Sequence, residues 1–181
     1  MPTGIARLQL VTKHLAPASI QTQKRALASE APSSKEASSP PYRARGDYKY
    51  FLPIQSRWSD QDQYGHINNA IYYHYIDTVV NEYLIKYCGL DPSSKTQPIG
   101  LVVSSSANFY ASASYPSVLE VGLTVAKIGR TSITYRVGVF ENQSPMACVV
   151  GGFTHVFVDP IERRPVEIPE TLRIKASKIS A

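Results

Sequence analysis

From Leu119 to Val139 apolar and polar residues trade places along the chain with a period of two. Leu119, Val121, Leu123 and Val125 fall on one side, and Glu120, Gly122, Thr124 and Ala126 on the other. After the short separator GRT, Ile133, Tyr135, Val137 and Val139 alternate with Ser132, Thr134, Arg136 and Gly138. Strand side chains point to opposite faces in turn, so these are two half-buried strands, Val118–Ile128 and Ser132–Glu141, joined closely enough for a hairpin. Further strands are expected at Ile99–Ala113 and Ala147–Asp159, and an earlier one at Tyr48–Trp58. Pro53 lies in that first run and lacks a backbone N–H, which suits an edge or a bulge. Between Ala70 and Cys88 the period changes. Tyr72, Ile76, Val79, Val80, Tyr83, Leu84 and Tyr87 recur at three- and four-residue steps, as in a helix of about five turns with one buried face. Asn68 or Asn69 can cap its start and Gly89 can stop it. The order is therefore β, long helix, then four strands in a meander. That predicts an α+β domain whose single antiparallel sheet buries one face against the only long helix. A short helix is expected after Pro169, and no internal repeat is visible.

Composition narrows the class. With 181 residues, 43% of them hydrophobic and 18% charged, the chain suits one globular domain and a tail. No apolar run approaches the ~20 residues that span a bilayer, so stable membrane insertion is not expected. The net charge of +5 sits entirely in residues 1–45, where seven basic residues face two acidic ones. The remainder carries twelve of each, which leaves no overall footprint for nucleic acid. Residues 1–30 have no acid before Glu30, and Ile5, Leu8, Leu10, Val11 and Leu15 recur at roughly helical intervals among Arg and Lys. These are marks of a mitochondrial transit peptide, with import to the matrix; a disordered basic tail or plastid import are the other readings. Residues 31–45, rich in Ser, Pro and Ala, read as a flexible linker, leaving 46–181 as the folded domain. Cys88 and Cys148 lie in no CxxC or Cys/His spacing and read as reduced core thiols.

The chemistry concentrates in RWSDQDQYGHINNAIYYHY, Arg57 to Tyr75. Asp60, Asp62 and His66 offer donors for a divalent ion, but no HExxH or clustered histidine accompanies them, and no metal is expected. The Asn pair lies where the long helix begins. The first N–H groups of a helix are unpaired and carry the positive end of its dipole, so they can hold the oxygen of a polarised carbonyl. A carboxylate just upstream could then act as a nucleophile or as a general base for water. Equally, Asp62, His66 and the asparagines could simply cap the helix and fasten the loop. His74, inside the helix, and His155, in a strand, read as packed residues, and Tyr72, Tyr73, Tyr75 and Tyr83 as core and subunit contact.

The run DQDQYGHINNAIYYHYID resembles the motif of the 4-hydroxybenzoyl-CoA thioesterase-like branch of the hotdog-fold thioesterases, chiefly through Asp62, Gly65, His66, Asn68, Asn69 and Tyr72. The resemblance covers about residues 48–175 and implies the hotdog fold, a curled antiparallel β-sheet wrapped around a long central helix. It implies an acyl-CoA thioesterase that releases a free carboxylic acid and CoA, with no cofactor. Asp62 would be the catalytic carboxylate, the amide near Asn69 would polarise the carbonyl, and His66 and Asn68 would order the loop and substrate. Tyr64, Gly65 and Tyr72 would shape the substrate site. The stretch KIGRTSITYR resembles the family's hairpin near the CoA phosphates, where Lys127, Arg130 and Thr131 would meet phosphate; a solvated turn charge is the plain alternative for Arg130. Self-association as a homodimer or homotetramer is also implied. Competing readings are a hotdog dehydratase, or a non-catalytic acyl-binding or assembly protein of mitochondria.

Overall fold

The computed structural model describes residues 41–181; the expected transit peptide and linker residues 31–40 lie outside the described residues. Within it the chain forms β1 (Tyr50–Gln55), α1 (Asn69–Cys88), β2 (Ile99–Phe109), β3 (Val118–Ile128), β4 (Ser132–Glu141), β5 (Val149–Val158) and α2 (Glu170–Ser177). The strands make one open sheet in the order β1-β3-β4-β5-β2, antiparallel throughout. With the long helix against one face, this is the hotdog fold.

The two alternating runs form the centre of the sheet. Leu119, Val121, Leu123 and Val125 of β3 and Ile133, Tyr135, Val137 and Val139 of β4 are all buried in the main core. They meet Tyr72, Ile76, Val79, Val80, Tyr83 and Leu84 of α1. Each side chain of this kind contributes about 1.5–3 kcal/mol when fully buried, so this contact between helix and sheet is what holds the fold together. Pro53 lies, as its chemistry requires, in edge strand β1. Helix α1 starts with Asn68, whose side chain accepts from the Ala70 amide at 2.9 Å. It stops at Gly89, which takes the left-handed conformation (φ 77°) and donates its N–H to the Leu84 carbonyl. The short helix after Pro169 is present as α2, and Leu172 and Ala176 dock it on the core.

Three expectations need correction. The strands after the helix are not a simple meander: β3, β4 and β5 follow one another, but β2 pairs with β5 at the far edge, so the 110–117 connection crosses between non-adjacent strands. Local alternation carries no information on such a crossover. His74, expected to pack, lies on the exposed face of α1, because the buried stripe runs through Tyr72, Tyr75, Ile76 and Val79; Tyr73, expected in core or subunit contact, is on that exposed face and not in the core. Residues 41–45, the end of the expected linker, are fastened to the domain. Ala44 bridges to Met146, Arg43 stacks on Tyr110 with its guanidinium 4.3 Å from the ring centre, and Arg45 pairs with Glu120 at 2.7 Å.

That fastening leads into a second, smaller core on the outer face of the sheet, made by Tyr48, Phe140, Ala147 and Val150. Tyr48 lies over two glycines. A Cβ on Gly138 would come within 2.6 Å of the Tyr48 ring, and one on Gly122 within 2.8 Å. Gly138→Ala is therefore expected to lower stability by about 1–3 kcal/mol through overpacking, read as a fall in Tm, while Tyr48→Ala, which leaves a void over the same strands, should cost about 3–5 kcal/mol.

Candidate active site

The chain must turn between β1 and α1, and residues 56–68 do so through a small closed loop. Gln61 and Ile67 bridge across its neck. Inside, the Asp62 amide donates to the His66 carbonyl at 2.8 Å, and Asp62 Oδ1 accepts from the amides of Tyr64 (2.8 Å) and His66 (3.2 Å). An aspartate that bonds the amide two residues on is a natural turn former. Gly65 completes the turn in the left-handed region (φ 78°), where a side chain would be strained. The Ile67 amide donates to the Ala113 carbonyl at 2.8 Å, tying the loop to the β2–β3 crossover. Tyr72 ties the same crossover to the helix, since its hydroxyl accepts from the Ala113 amide at 3.1 Å.

The loop, the helix start and the crossover border an open cavity of about 290 Å³ lined by Asp62, His66, Ile67, Asn69, Tyr72 and residues 109–112. Asp62 lines it, and its Oδ2 accepts no hydrogen bond among the described residues. The Asn69 amide, first in the helix, donates to no acceptor among them either. A carboxylate with a free oxygen and a residue with an unpaired helix-start amide thus line one small cavity. This is what attack on a polarised carbonyl requires.

A family model described as thioesterase superfamily matches residues 64–148. The PA5185 protein of Pseudomonas aeruginosa strain PAO1 is 43% identical in sequence, with 77% of this chain and 96% of that one covered and a TM-score of 0.74. The chain belongs to the thioesterase superfamily. By family it is a thioester hydrolase. Two more distant structures share the fold: a 1,4-dihydroxy-2-naphthoyl-CoA thioesterase from Synechocystis (16% identity, TM-score 0.65, 72% of this chain and 96% of that one) and a thioesterase from Thermus thermophilus complexed with coenzyme A and Zn (20% identity, TM-score 0.60, 71% and 98%). None of the curated proteins matches. The superfamily match begins at residue 64, two positions after Asp62, so that residue's role rests on the geometry of the loop.

In this thioesterase the expected site residues separate into three groups. Asp62, His66, Asn69 and Tyr72 line the cavity. Asn68 and Gly65 build its frame, as helix cap and turn, while Tyr64 projects outward, 75% exposed and outside the lining. Lys127, Arg130 and Thr131 are elsewhere. The Thr131 carbonyl accepts from Phe157 near the end of β5, whereas the cavity abuts the start of that strand, where the amides of Tyr110 and Ala111 donate to Cys148. Ten residues of strand separate the two ends by about 30 Å. Arg130 pairs with Glu167 on the surface at 3.1 Å. Residues 109–112 of the cavity wall had no distinguishing sequence signal; Phe109 meets the Tyr72 ring edge-on, with 5.6 Å between centres. Cys88 and Cys148 are free and buried, and burial pushes both thiols up to about 11. His155 is buried and neutral, its pKa lowered to about 4 by desolvation.

Asp60 is the one fully buried carboxylate among the described residues. Burial alone would raise its pKa, but hydrogen bonds from the Arg57 side chain, the Tyr75 hydroxyl and the Arg57 amide, together with the guanidinium charge, outweigh it and hold the carboxyl below its ordinary range. The stability this adds is fully present above the unfolded aspartate pKa of ~3.9 and is lost as pH falls below that value toward the folded one. Acid titration followed by circular dichroism should show this component in the parent protein and lack it in Asp60→Asn, which should also be less stable at neutral pH by about 1–3 kcal/mol because buried donors lose a charged acceptor.

Proposed function

We propose that this protein hydrolyses an acyl-CoA thioester to a free carboxylic acid and CoA, with Asp62 as the reacting carboxylate. The observation that carries the reading is that Asp62, with one carboxylate oxygen free, and Asn69, whose amide is unpaired at the helix start, line one cavity. The thioester carbonyl oxygen accepts from Asn69 N–H at the positive end of α1, which draws charge from the carbonyl carbon. Asp62 takes a proton from water as the water oxygen bonds to that carbon, or attacks it directly to give an anhydride that water then opens. In either course the C–S bond breaks and the electron pair leaves on sulfur; in the first the proton that the aspartate took from water is returned to the thiolate, and in the second the thiolate takes its proton from solvent and the water that opens the anhydride restores the free carboxylate. One water is consumed, and acid and thiol are formed. His66 gives its amide to the Asp62 carboxylate and is itself part of the cavity lining. The aromatic wall of Tyr72, Phe109 and Tyr110, and the naphthoyl-CoA thioesterase among the structural relatives, make an aromatic acyl group the first substrate to test.

The working unit in this reading is a homodimer joined through β2. That strand is eleven residues long, one of its edges is unpaired among the described residues, and Leu101, Val102 and Val103 stand 39%, 51% and 59% exposed. An apolar edge of that length is a template for another strand. Two-fold pairing of β2 with its copy runs the strands antiparallel, so the end of β2 beside the cavity meets the beginning of β2 in the second protomer. The turn carrying Lys127, Arg130 and Thr131 lies at that beginning, and pairing would return it to the neighbourhood of the other protomer's cavity as a phosphate site. The basic leader of residues 1–30 supports a mitochondrial matrix location, to be tested by the destination of a reporter fused to residues 1–45.

Free-thiol release from benzoyl-CoA, acetyl-CoA and palmitoyl-CoA measures the activity. Asp62→Asn is expected to lower kcat by about 10²–10⁴-fold with at least one of them; no thiol from any substrate with a folded oligomer would move the reading to acyl binding or assembly. Val102→Lys should give a particle of one chain mass by light scattering and at least about a tenfold loss of activity, since the charge blunts the edge.

A further inference from the structure

Asp60 and Tyr75 do more than bury a charge. Tyr75 projects from the second turn of α1, and its hydroxyl donates to Asp60 Oδ2 at 2.7 Å. The same oxygen accepts from the Arg57 amide at 2.8 Å, and Oδ1 takes the Arg57 guanidinium, with Nε at 2.9 Å. The Asp60 backbone carbonyl then accepts from the Asn68 amide at 2.9 Å. One residue therefore joins the incoming chain, the body of the helix and the residue that caps it. Between Asp60 and Asn68 hangs the closed loop, and Asp62 is two residues from the anchor.

The two reacting groups sit on different supports. Asp62 belongs to the loop, and the Asn69 amide belongs to the helix. The bonds within the loop fix Asp62 relative to Tyr64 and His66, but none of them reaches α1 beyond its cap. The side-chain bond from the loop's root into the helix body is the one between Asp60 and Tyr75. We infer that Asp60 and Tyr75 are positioning residues, which set the distance between the Asp62 carboxylate and the helix-start amide that receives the carbonyl oxygen. This inference rests on the reading of Asp62 as the reacting group. Apolar residues of the same size would fill the space, but a single charged acceptor shared by several donors also defines a direction. A displacement of about 1 Å in a reacting group costs on the order of 10²-fold in rate, so the device bears on chemistry more than on binding.

The experiment compares the full-length chain with Tyr75→Phe, Asp62→Asn and the double variant, measuring kcat and KM for benzoyl-CoA or whichever acyl-CoA is turned over fastest, at a temperature well below each variant's Tm. Tyr75→Phe keeps the ring and removes the donor. It is expected to lower kcat about tenfold or more with KM within about twofold, and the loss is expected to vanish in the Asp62→Asn background, where there is no carboxylate left to misplace. An equal loss in both backgrounds, or a change confined to Tm with kcat kept, overturns the inference while leaving Asp62 in its role. Undiminished turnover by Asp62→Asn instead overturns the catalytic reading on which it rests. Arg57→Ala, at the solvent end of the same network, gives a second reading if Tyr75→Phe does not fold: a several-fold fall in kcat that disappears with Asp62→Asn supports the network, and an unchanged kcat overturns it.

Discussion

One helix has to cover a five-stranded sheet. Nothing else among the described residues is long enough, and the buried stripe of α1 from Tyr72 to Cys88 therefore runs the length of the sheet's inner face. This constraint decides where the reactive end falls. A helix lying along the strands must begin at one end of the sheet, and its first amides, unpaired by the geometry of any helix, are delivered there. The β1–α1 loop closes the same end because β1 must hand the chain to the helix. The site is thus a by-product of how the core is covered, refined by a few side chains that fix the loop.

Those side chains divide the electrostatic labour between two aspartates two residues apart. Asp60 is fully buried and bound on both oxygens, so its charge serves the architecture. Asp62 is half-buried, lines the cavity, and is bound on one oxygen with the other free among the described residues. The same residue type serves as anchor and as reagent, and the difference lies in how many donors surround it.

The helix and the central strands were legible in the sequence because they bury one face and so imprint their period on it. Asn68 and Gly89 were legible because the ends of a helix have few chemical solutions. The place of β2 was not, since strand order follows from a crossover whose residues carry no periodic signal, and the residue run from Phe109 to Ser112 joined the cavity by that route. His74 was misplaced because the helix is apolar on much of its circumference, and sequence spacing alone leaves its exposed face open. Motif resemblance drew Asp62 and the turn at Arg130 into one site, yet within a single chain they stand at opposite ends of the sheet. The anchor made by Asp60 and Tyr75 was missed because it links a loop to a helix position fifteen residues later. Only the folded geometry brings them together.

The outer face of the sheet depends on the short stretch of chain that precedes β1. Arg43, Arg45 and Tyr48 seal the two-glycine floor and brace Tyr110 at the edge of the cavity. Loss of Arg43, Arg45 and Tyr48 would bare Gly122 and Gly138 and take away the cation stacked on Tyr110, so a chain shortened to β1 would keep every residue of the cavity and lose the support behind one of its walls.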